Sequence, residues 1–301
     1  MNLNPNAARR SYAEELKYVA HIKSDALVRA FAKVPREKFL GPGPWRIPWE
    51  QEHWTTEDDN PKHVYHNVLV AIDPVRHLNN GEPGFLAFLI DALEIKAGEH
   101  VAHIGCGTGY YSAILAEVVG KKGRVIAVEI DQKLAARAKR NLSPWRQVSV
   151  MAADGSSCGI GTVDALLINA GATHPAAIWL NALAPGGRLI LPMTIDNRSG
   201  SVLKVTRLTS GDYSARFISG VGIFPCEGVR SRRANRQLKA AFVDAGHFGP
   251  NSCSLRPWWH AGKPPARFSA LRSDAQAGSP RTGQGIPEPS ERSRVDPAGS
   301  H

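Results

Sequence analysis

Between Glu99 and Met193, short apolar runs alternate with stretches patterned for helices, and this alternation limits the fold more than any other property of the sequence. The runs are HVAHI (100–104), RVIAVEI (124–130), QVSVMAA (147–153), DALLINA (164–170) and RLILPM (188–193). Each is short and apolar almost throughout, as a strand covered on both faces must be. Helices are expected between them over 110–119, stopped by Gly120, over 132–142, and over 174–183, stopped before Pro185. Strand–helix–strand units with right-handed crossovers build an α/β fold, a doubly wound and mostly parallel sheet. SVLKVTRL (201–208) and YSARFISGVGIF (213–224), joined by TSGD, predict an antiparallel C-terminal hairpin at its edge.

The chain ahead of this pattern reads differently. Ser11 with Glu14 makes a capping box for one N-terminal helix, and Ser24 with Asp25 opens a second that ends before Pro35. GPGPWRIPW (41–49) is too rich in Gly and Pro for regular structure, and HVYHNVLVAI (63–72) predicts a short strand. Pro83 is placed as the first helical residue of PGFLAFLIDAL (83–93), with Phe85, Leu86, Leu89 and Leu93 on its apolar face. The expected division is an N-terminal helical and loop cap (1–80), a core (81–228), an extension (229–261) and a tail (262–301). Pro, Gly and Ser fill 17 of the tail's 40 positions, the composition of a disordered segment, and Trp258–Trp259 just before it is expected to pack.

Of 301 residues, 43% are apolar and 21% charged, which excludes a chain disordered throughout. The net charge of +10 points at first to nucleic acid. Its distribution argues otherwise, because residues 229–301 hold 12 basic and 5 acidic side chains, leaving a net +3 for residues 1–228. Nucleic acid therefore enters only through the basic tail. No apolar run reaches the roughly 18 residues of a spanning helix, and MNLNPNAARRSY lacks the apolar segment of a signal peptide, so a cytoplasmic protein with no membrane partner is expected. Cys106, Cys158, Cys226 and Cys253 form no C-x-x-C pair, and His63 with His66 has no Cys or paired carboxylate to complete a ligand shell; thiols in a reducing compartment and no metal are expected.

The first core strand runs into Gly105-Cys106-Gly107-Thr108-Gly109 and then a helix. Glycines at the carboxyl end of a strand allow a sharp turn and the close approach of a ligand. A dinucleotide fingerprint would need glycine at 110, where the chain has Tyr110, and no G-x-x-x-x-G-K-[ST] phosphate loop is present. Glu129, 24 positions after Gly105 and followed by Ile130, ends the second strand, where a carboxylate can accept both hydroxyls of a ribose. Asp154-Gly155 ends the third, with an acceptor suited to an exocyclic amine. Pro185-Gly186-Gly187-Arg188 reads as a structural turn.

Together these residues resemble a class I S-adenosylmethionine-dependent methyltransferase. VPREKF (34–39), YHNVLVAI (65–72), VAHIGCGTGYYSAILA (101–116), VEI (128–130), ADG (153–155) and PGGRLILP (185–192) are similar, in order, to the blocks of the protein-L-isoaspartate O-methyltransferase family, over about residues 10–228. The resemblance implies a Rossmann-like methyltransferase fold and S-adenosyl-L-methionine as cofactor. Gly105, Cys106, Gly107, Thr108 and Gly109 would wrap that cofactor, Glu129 would hold its ribose, Ile130 beside it would also touch the cofactor, and Asp154 with Gly155 would lie beside the adenine. It also implies methyl transfer to isoaspartyl carboxylates of damaged proteins, as a step of protein repair. Two positions depart from the family pattern. Asn80, Gly81, Glu82 and Pro83 are the substrate-side candidates, with Gly81 where the family has serine, so no catalytic residue is assigned. His103 stands where the family has an acid facing the cofactor's methionine end, and its titration is expected to weaken cofactor binding at low pH. Two alternatives stay open: a methyltransferase of the same fold with a small-molecule or RNA acceptor, and a cofactor-binding protein without turnover. Nothing in the sequence assigns an oligomeric state.

Overall fold

The computed structural model describes residues 4–49, 52–196, 199–244 and 252–253. The N-terminal part holds α1 (Pro5–Val19), α2 (Asp25–Lys33), α3 (Glu37–Leu40), the hairpin β1 (Arg46–Trp49) and β2 (Glu52–Thr55), and the small pair β3 (Ala71–Asp73) and β4 (Leu78–Asn79). The core follows as α4 (Pro83–Ala92), β5 (His100–Ile104), α5 (Tyr110–Val119), β6 (Arg124–Glu129), α6 (Gln132–Asn141), β7 (Val148–Ala152), β8 (Val163–Ile168), α7 (Ala177–Ala182) and β9 (Leu183–Thr194). β10 (Ser199–Arg207), β11 (Tyr213–Gly222), α8 (Arg232–Asp244) and β12 (Ser252–Cys253) complete it.

One sheet runs in the order β12-β11-β10-β9-β8-β5-β6-β7. β7, β6, β5, β8 and β9 are parallel, and β10, β11 and β12 are added antiparallel, so the expected doubly wound sheet and edge hairpin are both present. Strand order reverses at β5, which opens a crevice beyond its carboxyl end. Alternation along β5 feeds two cores. Val101 packs with α1, α2, α4 and α5 on one face, and Ala102 and Ile104 pack with Trp179 and Leu180 of α7 on the other. Arg188 staples the far end of the sheet: its guanidinium grips both Glu99 oxygens (2.8 and 3.0 Å) and the Leu93 and Glu94 carbonyls, which bears out a structural role for the 185–188 turn.

Several boundaries differ from expectation for local reasons. Asn4 caps α1 with Pro5 in its first turn, so Ser11 lies inside the helix and is no cap. Arg46–Trp49 is a strand despite Pro48, because the hairpin is an edge pair where a missing N–H is tolerated. Residues 61–64 form a 3₁₀ turn, and of the expected 63–72 strand only Ala71 and Ile72 fall in a strand, β3. The cause is the buried Arg36, whose guanidinium takes the carbonyls of Val64 (2.8 Å), His66 (3.1 Å) and Val68 (2.7 Å) that a ladder would have used. α7 is shorter than 174–183 and β9 longer than 188–193, with the Pro185–Gly187 turn bulging between paired Leu183 and Arg188. His63 bonds Asp58 (2.8 Å). Trp258, Trp259 and the 262–301 tail lie outside the described residues, among which no helix is long and apolar enough to cross a membrane.

Candidate functional site: a glycine turn above the sheet

The turn after β5 is fixed by backbone conformation. Gly105, Gly107 and Gly109 have φ of +75°, +56° and +95°, a region in which a side chain is strained. Gly105 and Cys106 donate their N–H groups to the Val128 carbonyl (2.8 and 3.0 Å), tying the turn to β6. Gly107 N–H donates to Oε2 of Glu129 (2.8 Å) and Asp131 N–H to Oε1 (3.1 Å). An ionised carboxylate has about four lone-pair sites, so each oxygen of Glu129 keeps one free for a further donor. The spacing of these two acceptors suits the neighbouring hydroxyls of a ribose.

A cavity of about 620 Å³ opens over this turn. A Cβ on Gly107 would meet nothing within 4 Å, whereas one on Gly109 would lie 2.8 Å from Leu142 Cδ1; the first glycine clears space for a ligand and the second lets α5 pack on α6. Thr108 is 1% exposed and its Oγ1 has no partner, a buried hydroxyl at the cavity wall that a bound polar group would satisfy. Asp154 accepts from Ser156 N–H (2.8 Å), and Gly155 is buried with its carbonyl bonded to Trp179 Nε1 (2.6 Å). Ile130 is 44% exposed at the rim, an uncovered apolar side chain fit to lie against a base. The donor set, a carboxylate with two free acceptors, an open glycine cradle and an orphan hydroxyl, fits a nucleoside carrying a polar tail.

The opposite wall is the Asn79–Pro83 loop. Gly81 has φ +82°; its N–H donates to Asn79 Oδ1 (2.9 Å) and its carbonyl accepts from the Tyr111 hydroxyl (3.1 Å). A Cβ there would sit 3.2 Å from Leu86 Cδ2 and 3.4 Å from Tyr111 Cε2. Asn80 receives Arg36 Nε (3.4 Å) on its side-chain oxygen, and the exposed Glu82 accepts from Asn67 Nδ2 (2.9 Å). Arg76 closes the rim between these walls, paired with Asp73 (2.7 Å) and with Asp131, the N-cap of α6.

A family model described as protein-L-isoaspartate(D-aspartate) O-methyltransferase matches residues 8–227. The chain belongs to this family. Among relatives, the protein-L-isoaspartate O-methyltransferase of Methanothermobacter thermautotrophicus is 26% identical, over 73% of this chain and 95% of its own length. That of Pyrobaculum neutrophilum is 30% identical, over 64% and 87%. A solved protein-L-isoaspartate O-methyltransferase superposes with a TM-score of 0.62 at 23% identity, covering 73% of this chain and 66% of that one. A putative one from Plasmodium falciparum, in complex with S-adenosyl-L-homocysteine, gives 0.58 at 19%, over 73% and 98%. These two likenesses establish the fold. As a member of the isoaspartate methyltransferase family, the chain is an S-adenosylmethionine-dependent O-methyltransferase.

Of the residues expected at an isoaspartate methyltransferase site, Asn80, Gly81, Glu82, Gly105, Cys106, Gly107, Thr108, Glu129, Ile130, Asp154 and Gly155 all line the cavity. Pro83 and Gly109 sit behind the wall as helix starts, Pro83 buried in the first turn of α4. His103 corrects the expectation made for it. It is fully buried beneath α5, between Ala127 and Leu167 of the neighbouring strands, with Nδ1 2.9 Å from Ser112 Oγ and Nε2 unpartnered. Burial pushes its pKa down to about 3, so it stays neutral through the imidazole range and is no pH switch for the cavity. Burial likewise pushes up the thiols of Cys106 and, to about 12, Cys226, which leaves both protonated and unreactive. Sequence reasoning missed Arg76, Tyr111 and the segment Gly222–Glu227, which crosses the top of the sheet and walls the cavity. Tyr111 carried a usable signal, since it sits in the first turn of the helix that the glycine loop opens.

Proposed function

We propose that this chain methylates the free carboxylate of isoaspartyl residues in polypeptides. The observation that carries the reading is the Glu129 carboxylate, held by Gly107 and Asp131 N–H groups with two acceptor sites left, over a cavity whose far wall is the Asn80–Glu82 loop. When bound, S-adenosylmethionine supplies a methyl group on a positively charged sulfur. In this assignment Gly105, Cys106, Gly107 and Thr108 wrap the donor, Glu129 accepts its ribose hydroxyls, and Ile130, Asp154 and Gly155 take its adenine. The acceptor carboxylate, with a pKa near 4, is ionised at neutral pH, so no residue has to remove a proton. The protein's work is alignment and exclusion of water, for which effective molarities of about 10⁵ M or more are available. Tyr111 supports the acceptor loop through Gly81. The methyl ester so formed places the chain in protein repair, and the cytoplasm is the proposed compartment.

One observation favours a second acceptor class on the same machinery. Gly81 offers no hydroxyl, and Glu82 puts a carboxylate at the rim that a carboxylate acceptor must approach. One experiment separates the two readings: incubation with methyl-labelled donor and either an isoaspartyl peptide or its normal aspartyl twin. Label on the isoaspartyl peptide alone is expected, and equal background labelling of both removes the isoaspartyl assignment.

A further inference from the structure

The family match ends at residue 227, and the next helix begins five residues beyond Glu227 of the cavity wall. α8 is amphipathic in an unusual way. Ala234 and Leu238 are buried, and Phe242 meets Phe217 of β11 edge-on at 5.9 Å, so one face packs on the sheet. Arg232, Arg233, Arg236 and Lys239 are all exposed and, at 100° per residue, fall within one arc of about 120° on the opposite face. None of the four side chains makes an ion pair or hydrogen bond among the described residues. Arg232 and Arg233 occupy the first turn, where the helix dipole is already positive, so their placement opposes helix stability instead of serving it. The helix start is pinned beside the carboxyl ends of β8 and β9: Arg230 Nη1 donates to the carbonyls of Gly171 (3.1 Å) and Thr194 (3.0 Å), and Ser231 N–H to Thr173 Oγ1 (3.0 Å). That is the end of the sheet at which the cavity opens.

We propose that this basic face of α8 is a docking strip for an acidic stretch of the polypeptide that presents the isoaspartyl residue, an inference that rests on the function proposed above. Charge complementarity identifies the occupant. The cavity rim carries Glu82, Asp154 and Glu227, which repel an acidic polypeptide, and the four cations, on the helix that begins five residues after Glu227, supply a compensating field. From Arg232 to Lys239 the strip is about 10 Å long, the span of three extended residues. Sequences that form isoaspartyl residues beside other acids would be preferred over neutral ones through KM, with the chemical step untouched.

The test uses the full chain and three isoaspartyl peptides, one with four Glu on the N-terminal side of the isoaspartyl residue, one with four Glu on the C-terminal side, and one with neutral flanks. A KM about five- to tenfold lower is expected for at least one acidic peptide at equal kcat, fading as salt rises from about 0.1 to 1 M and the screening length falls from about 10 to 3 Å. In R232Q/R233Q/R236Q/K239Q the advantage disappears, and the neutral peptide's kcat and KM, which report an intact fold and cavity, stay as they were. Fluorescence anisotropy of the same labelled peptides reads the docking without turnover, so absence of methylation overturns the isoaspartyl reading while the strip is still judged. Equal binding of acidic and neutral peptides, or a preference that survives the fourfold substitution, overturns the inference. Tighter binding of a single-stranded RNA of matched charge, lost in the same variant, overturns it in favour of nucleic acid.

Discussion

The two walls of the cavity are made of different material. At the donor wall, Gly105–Gly109 and Glu129–Asp131 are the ends of adjacent parallel strands, with Ile104 opposite Val128, and their contacts are backbone N–H groups to a carbonyl or a carboxylate. At the acceptor wall, Gly81 is held by Tyr111, 30 residues on, Asn80 by Arg36, 44 residues back, and Glu82 by Asn67, 15 residues back. Strand pairing dictates the first wall, so its geometry follows wherever the pairing does. The second depends on side chains drawn from separate elements, and each can drift in sequence without disturbing the sheet. The departure at Gly81 lies in the second wall. His103, although it belongs to the β5 strand, has been withdrawn from the cavity altogether.

The largest effect is expected from Glu129→Ala, which breaks the donor wall alone. It removes two charge-assisted acceptor sites for the donor and the anchor of Gly107, and hydrogen bonds to charged groups contribute about 1.5–3 kcal/mol each. Donor affinity measured by calorimetry should therefore fall about 100-fold or more, while the acceptor KM at saturating donor stays within about twofold. An unchanged donor affinity would place the nucleoside elsewhere and dissolve the distinction between the walls.

A smaller effect is expected from Gly81→Ser, which supplies the hydroxyl that the family has and this chain lacks. The left-handed φ of +82° and the Leu86 contact at 3.2 Å mean that the serine is accommodated under strain of about 1–2 kcal/mol. The melting temperature should drop by about 2–6 °C, and isoaspartyl methylation should not rise. A gain in activity at unchanged melting temperature would show that the loop relaxes freely and that Tyr111 does not fix it.

The same contrast governs what could be read from the sequence. The parallel strands, the glycine turn, Glu129 and Asp154 were legible because each follows from a local pattern, period of apolar residues or glycine spacing, that maps directly onto strand ends. The 63–72 segment was not, because the β-branched Val64, Val68, Val70 and Ile72 favour a strand locally, whereas the carbonyl bonds of buried Arg36, decided 30 residues earlier, bend it away from one. α8 escaped notice because its charged residues mask the apolar positions Ala234, Leu238 and Phe242. His103 stands where the family has an acid that faces the cofactor, and the alternation of β5 sends its side chain to the face under α5 instead.

That burial gives the smallest and most specific prediction. His103 has a folded pKa depressed to about 3 against an unfolded value near 6.5, so below pH 6.5 the unfolded chain takes up a proton that the folded chain refuses. Its neutral form is fully compatible with the fold above pH 6.5, and stability is lost as pH falls from there towards 3. The loss begins between pH 7 and 6 and steepens below that towards the one-proton limit of about 1 kcal/mol per pH unit. The measurement is a difference: urea midpoints at several pH values for the parent and for His103→Gln, whose slope should be shallower by that amount. Donor affinity of the folded protein should stay flat from pH 7.5 to 6, since the imidazole lies beneath α5 and not in the cavity. A resonance of His103 titrating near pH 6.5 in the folded state would put the ring back in contact with solvent, and with it the donor wall's insensitivity to pH would fail.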